Sequence, residues 1–240
     1  MSDEDIKGVV HNHSTYSDGV NTLAEMAGQT EELGYEYLVM NDHSKSAFYA
    51  NGLNEDRLLD QIEEIAELNK SSKIKVFTGI ESDILFNGDL DYADEILEKL
   101  DVIVASVHSV LKMDEKKATE RLIKAIENPY TRILGHPTGR LLLSRKGYPV
   151  NFTKVIDACA ANNVAIELNA NPYRLDMDWR YIQQAMDSGV MISINPDAHS
   201  VAGIQDIHFG VCAASKGGLT KEMCLNTKDL KAFEAWVAAK

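Results

Sequence analysis

The sequence predicts a single α/β barrel. Seven short apolar runs read as strands, helix-like patterns separate them, and no proline- or glycine-rich linker divides residues 1–240. Strand and helix alternating in this way is the pattern of a βα barrel, and such barrels stay one domain up to about 250 residues.

The runs are IKGVVH (6–11), EYLVMND (36–42), IKVFTGIE (74–81), VIVASVH (102–108), TRILGH (131–136), VAIELN (164–169) and VMISIN (190–195). Most are continuous apolar stretches, which suits strands of a parallel sheet buried on both faces. Helical patterns lie at about 22–33, 55–70, 89–100, 114–127, 152–162 and 178–188. In 55–70, Leu58, Ile62, Ile65 and Asn69 form one stripe, widened by Leu59 and Ala66, with acids opposite. Asn54, Asn151 and Asp178 are suitable N-caps, and Gly34 and Gly189 suitable stops. A last amphipathic helix, 227–239, is expected on the outside of the barrel or across its end. The first strand–helix turn lacks a glycine-rich dinucleotide loop, which disfavours an open doubly wound sheet.

Composition narrows the function. Hydrophobic residues make up 45% of the chain, enough for a sizeable core, and the formal net charge is −13. An acidic chain is poorly suited to extended contact with duplex nucleic acid, whose affinity rests on Lys and Arg against phosphates. No apolar run is long enough to span a bilayer. The acidic start, MSDEDIKG, is unlike a signal peptide. Three cysteines, Cys159, Cys212 and Cys224, have no metal or redox spacing. The expectation is a cytoplasmic protein with reduced thiols.

Metal-ligand residue types gather where the strands end. His11 and His13 close the first run, and Asp18 sits in the loop that follows. His43 follows the second run, Glu81 ends the third, His108 the fourth and His136 the fifth, and Asp197 and His199 follow the seventh. Six of the seven histidines occupy this rim, where catalytic groups of a barrel converge. Two residues apart on an extended strand, His11 and His13 share a face. His208 lies outside the pattern and reads as a structural or surface residue. A lone histidine or loop carboxylate is ordinarily a hydrogen-bonded or solvated residue, but equivalent positions on successive strands are not independent. Nine nitrogen and oxygen ligands exceed the needs of one metal, so two or three ions sharing a bridging carboxylate are expected. This donor set suits Zn²⁺, Mn²⁺ or Fe²⁺, and the chemistry it serves is hydrolysis. Rim loops at 44–53, 109–113, 137–149 and 170–177 carry Lys45, Lys112, Arg140, Arg145, Lys146 and Arg174 against a single acid, Asp176. Bases around a metal basin point to a phosphate ester, with Arg140, Arg174 and Lys45 the candidate phosphate-binding residues.

HNHSTYSDG, NDHS, GIESDI, ASVHS, GHPTGR, ELNANPYRLDMDW and SINPDAHS, in this order over nearly the whole chain, resemble a PHP domain, of the polymerase-and-histidinol-phosphatase superfamily. Within it the sequence looks most like the C-terminal PHP domain of bacterial and archaeal family X DNA polymerases, without a polymerase portion. The resemblance implies a distorted (β/α)7 barrel and a trinuclear site. In that site His11, His13, Glu81 and Asp197 hold one ion. Glu81 bridges to a second on His108 and His136, and Asp18, His43 and His199 hold the third. Asn41, where Thr is common, and Pro196 depart from the family pattern.

The expected function is a metal-dependent phosphoesterase acting through metal-activated water, on small phosphomonoesters first. The first alternative is 3′–5′ exonuclease or 3′-end processing, as the resemblance to polymerase-linked domains implies. The second is a non-catalytic metal-bound interaction subunit. The expected partner is thus a phosphorylated small molecule or a nucleic-acid 3′ end, with no membrane and no extended duplex surface; the sequence names no protein partner.

Overall fold

In the computed structural model, which describes residues 1–239, eight parallel strands form two ladders. The first is β1 (Gly8–Asn12), β2 (Tyr37–Met40) and β3 (Lys75–Phe77); the second is β4 (Gly79–Asp83), β5 (Val102–Ser106), β6 (Thr131–Leu134), β7 (Ala165–Asn169) and β8 (Ile192–Asn195). Single parallel bridges close both seams, His43 to Glu81 and Asn12 to Ala198, so the strands make a distorted barrel.

The predicted third strand is two strands in the structure, broken at Thr78. There the chain leaves β2 and joins β5, and the Asp101 carboxylate accepts from both the N–H and the hydroxyl of Thr78 at 2.9 Å. Asn41 fills the gap behind the break. Its amide donates to Val102 O at 3.0 Å, and a side chain at Gly79 would sit 2.4 Å from that amide nitrogen. Counted as one run, β3 and β4 give the seven strands of the sequence reading.

Helices α1 (Leu23–Glu32), α2 (Glu55–Leu68), α3 (Asp94–Leu97), α4 (Glu115–Ile126), α5 (Phe152–Asn162), α6 (Ile182–Asp187), α7 (Ile207–Lys216) and α8 (Leu230–Ala238) surround the barrel. Asn54 and Asn151 cap α2 and α5, accepting from the N–H groups of Arg57 and Lys154 at 3.0 and 3.1 Å. Asp178 caps the short turn that leads into α6. The pattern at 89–100 yields only the one-turn α3. Helix α7 was not predicted, because Gly210 and its small neighbours carry a weak helical pattern. Gly210 is required: a Cβ there would lie 2.5 Å from Ala170 Cβ and Ile194 Cγ2, so its absence lets α7 press onto β7 and β8.

The final helix closes the N-terminal end of the barrel. Asp229 caps α8, and buried Phe233 stacks on Tyr37 with centroids 4.2 Å apart and meets Phe77 edge-on. This leaves the opposite end, where the strands deliver their C-terminal residues, open for a site. No helix among the described residues is long and apolar enough to cross a membrane.

Candidate metal centre

Glu81, at the middle of β4 and almost fully buried, is the hub of the open end. Its Oε1 lies 2.9 Å from His136 Nε2, 3.2 Å from His108 Nε2 and 3.3 Å from His11 Nε2; its Oε2 lies 2.9 Å from His43 Nδ1 and 3.9 Å from His13 Nε2. A second carboxylate, Asp197, stands 3.1 Å from His13 Nε2 and 3.7 Å from both His11 Nε2 and His199 Nδ1. Asp18 reaches in from the first loop, 3.3 Å from His199 Nε2 and 3.7 Å from His43 Nε2. All nine residues singled out as ligands therefore meet in one basin. His208 is apart from it on α7, exposed and bonded to Asp3 at 2.7 Å.

Backbone irregularity aims these groups. The plain alternation expected to put His11 and His13 on one face does not hold, because the register of β1 against β2 slips between Val9 and Asn12. His11 sits at φ 64° and Asp197 at φ 54°, both in the left-handed region that non-glycine residues rarely enter. The bulge turns the His11 ring so that its centroid is 5.3 Å from that of His13. Asn41 braces the bulge by accepting the His11 N–H at 3.0 Å.

The groups supporting the expected ligands lie outside the residues that the sequence singles out. Glu167, on β7 and wholly buried, accepts from His11 Nδ1 at 2.6 Å, Asn195 Nδ2 at 2.7 Å, Asn169 Nδ2 at 3.0 Å and the His136 N–H at 3.1 Å. Asp83 pairs with His108 Nδ1. Asp42 accepts from the N–H and hydroxyl of both Ser14 and Ser17 and from Gln61, which pins the loop carrying Asp18. Such carboxylates fix the tautomer and orientation of ligating imidazoles. A single acid inside an apolar strand, as in VAIELN, is the signal that could have flagged Glu167.

Proton affinities in the basin are displaced. Burial opposes the charge of Glu81, but His108, His11 and His43 outweigh it and hold its carboxyl well below the usual range. Asp197 is lowered likewise by His11, His13 and Arg174 against its burial. Burial, then His199 and His43, push His13 down to about 4. His108 is raised to about 10, Glu81 and Asp83 overcoming burial, and His199 to about 9, Asp18 and Asp197 doing the same.

The residues fit divalent cations. Among the described residues, buried His11 Nε2, His13 Nδ1, His43 Nδ1, His136 Nδ1 and Glu81 Oε2 have no hydrogen-bond partner, although such atoms are almost always paired. Donor atoms fall into three overlapping groups, each within 4.8 Å: His13, Asp18, His43 and His199; His11, His13 and Asp197; and His43, Glu81 and His108. His13 and His43 each belong to two groups, and His136 joins through Glu81, so the grouping overlaps more than the allocation expected from the resemblance.

The three candidate bases are placed differently. Arg174 points at the basin, its Nε 3.4 Å from Asp197 Oδ2, and among the described residues its two terminal amino groups have no partner. Arg140 is engaged elsewhere: it donates to Arg174 O at 3.0 Å, to Leu175 O, and to Asp178 at 3.1 Å. Lys45 is paired with Glu55 at 2.6 Å. Distance along the chain from a histidine does not reveal where a long basic side chain is spent.

A family model described as PHP domain matches residues 10–171. The DNA polymerase/3′-5′ exonuclease PolX of Bacillus subtilis (strain 168) is 40% identical over 97% of this chain, and the chain spans 41% of that protein's length. A probable phosphatase of Thermoanaerobacter sp. (strain X514) is 28% identical over 90% of this chain and 89% of its own. A solved histidinol phosphate phosphatase from Lactococcus lactis subsp. lactis Il1403, complexed with zinc, L-histidinol and phosphate, superposes with a TM-score of 0.65 at 18% identity. The alignment covers 89% of this chain and 94% of that one.

Proposed function

The chain belongs to the PHP domain family of metal-dependent phosphoester hydrolases, and from that premise we propose that residues 1–240 form one phosphomonoesterase domain with a trinuclear centre of Zn, Mn or Fe. The observation that carries the reading is the convergence of six imidazoles and three carboxylates on a basin where, among the described residues, His11 Nε2, His13 Nδ1, His43 Nδ1, His136 Nδ1 and Glu81 Oε2 lack hydrogen-bond partners. When bound, the cations activate water and neutralise charge on the phosphoryl oxygens.

The chain's own residues do the rest. Glu81 spans the groups built around His11 and His13 and around His43 and His108, which suits a bridging carboxylate. Asp18, His43 and His199 enclose the outer side. Arg174 offers a phosphate the two terminal amino groups of its guanidinium, unpartnered among the described residues while its Nε meets Asp197, a geometry that lysine does not reproduce. Burial opposes the charge on Arg174, but Asp197, Glu81, Glu167 and Asp176 outweigh it. Arg140 clamps the backbone of Arg174 and Leu175, and so acts as a positioning residue. Lys45, tied to Glu55, serves the outer rim. Three free cysteines, two of them buried, agree with a cytoplasmic setting.

A 3′-end exonuclease is the second reading, favoured by the 40% identity to the polymerase-linked relative. One experiment tests both. Protein reconstituted with Mn²⁺ is assayed for phosphate release from a generic phosphomonoester and for shortening of a 3′-labelled single-stranded oligonucleotide, with and without chelator. Chelator-sensitive phosphate release supports the first reading; shortening alone supports the second. Full metal occupancy with neither activity refutes both.

A further inference from the structure

Between His43 and α2 a tight turn, Phe48–Ala50, lifts two aromatic side chains into solvent beside the basin, Phe48 88% and Tyr49 72% exposed. The turn itself is anchored. Ala47, Ala50 and Leu53 are buried; the Ala47 N–H donates to Ser44 O at 3.0 Å, and the Leu53 N–H to His43 O at 2.8 Å. Arg57 of α2 donates to Asn51 O at 2.9 Å, and a side chain at Gly52 would collide with Ser44 O at 1.9 Å. The backbone under Tyr49 is thus fixed relative to the ligand His43, although its ring is left largely uncovered.

That ring overhangs the ligands. Its centroid lies 6.1 Å from that of His43 and 6.4 Å from that of His108, with planes inclined by 60° and 64°. Among the described residues the Tyr49 hydroxyl has no hydrogen-bond partner. Arg174 stands at Asp197, in the part of the basin built by β7 and β8, whereas Tyr49 borders the part built by β2, β4 and β5. A phosphoryl group held by Arg174 and by cations on these ligands would leave the Tyr49 side of the lip open to the rest of its ester. A pre-positioned aromatic ring there suits a planar group, which it can meet face to face or edge to face.

We propose that Tyr49 is a specificity-determining residue that packs against the leaving group of the ester and favours aryl and base-bearing phosphate esters over aliphatic ones. This rests on the phosphoesterase reading above. The test uses two non-hydrolysable probes, phenylphosphonate and methylphosphonate, titrated calorimetrically into metal-loaded protein. Wild type is expected to bind the phenyl compound about fivefold tighter, the size of one aromatic pair. Tyr49→Ala brings that ratio close to one at normal metal content and normal far-UV circular dichroism; Tyr49→Phe keeps it. An unchanged ratio in Tyr49→Ala overturns the proposal, as does an equal loss for both probes, which marks a merely structural role. Failure of methylphosphonate to bind the wild type removes the phosphoester reading itself, and this inference with it.

Discussion

Replacing Glu167 with glutamine should cripple metal binding while leaving the fold standing. The carboxylate takes four donors in a site with no solvent access: His136 N–H and Asn169 Nδ2 on Oε1, His11 Nδ1 and Asn195 Nδ2 on Oε2. Alanine would orphan all four at roughly 1–3 kcal/mol each, comparable with the whole stability of an ordinary domain. Glutamine keeps the shape and one acceptor oxygen. With its oxygen in the Oε1 place, its amino group faces His11 Nδ1 at a 2.6 Å approach. Two donors cannot share that contact, so His11 shifts its proton to Nε2, the nitrogen that faces Glu81 and Asp197. A protonated Nε2 cannot ligate. Loss of such a supporting contact costs about 10- to 100-fold in metal affinity. The remaining conflict at Asn195 costs about 1–3 kcal/mol, and each kcal/mol lowers Tm by roughly 2–4 °C at this size. The assay pairs competition against a fluorescent chelator with thermal melting of the metal-free protein. Metal affinity within twofold of wild type in a folded Glu167→Gln protein would refute the tautomer argument.

Other outcomes follow from the same contacts. Arg174→Lys should raise KM for phosphomonoesters about tenfold or more with little change in metal content, since lysine cannot reproduce a bidentate fork; steady-state kinetics with metal analysis checks this. Arg140→Ala should weaken the same parameter, and the Arg140→Ala/Arg174→Ala double variant should be no worse than Arg174→Ala alone, because Arg140 acts through Arg174. The Asp178 carboxyl is held well below its ordinary value of 3.8, first by Arg180, against partial burial, and also by Arg140. A depressed folded pKa means that its stabilisation is complete above that ordinary value and is lost as pH falls through the folded one. The Tm difference between wild type and Asp178→Asn should accordingly be constant near neutrality and shrink in acid below pH 3.8. Cys212 should be the one thiol labelled rapidly by maleimide in the native protein. Cys159 and Cys224 are buried, and that burial raises both thiols, Cys224 to about 12; mass-mapped labelling reads the outcome.

The candidate ligands are legible in the sequence because histidine and carboxylate types recur where apolar runs end, and the barrel brings those ends together. The parts that escaped it depend on contacts with no local signature. The bulge at His11 arises where β1 slips against β2, and nothing in VVHNH marks φ 64°. The break at Thr78 follows from Asp101 and Asn41, distant in sequence. Helix α7 was hidden by Gly210, a residue that weakens a helix yet is demanded by close packing on Ala170 and Ile194. Arg140 and Arg174 read alike in sequence; only the fold separates Arg140, which braces the loop backbone, from Arg174, which faces the basin. Glu167 looked like part of a strand because it is one, and its role depends on four donors from three other segments and its own strand.

Anomalous diffraction from crystals of Mn²⁺-loaded protein, collected near the manganese edge, would locate the cations of the proposed trinuclear centre. Three peaks are expected inside the ring of His11, His13, Asp18, His43, Glu81, His108, His136, Asp197 and His199, with Glu81 between at least two of them. Peaks outside that ring, or none within it at saturating metal, would contradict the proposal.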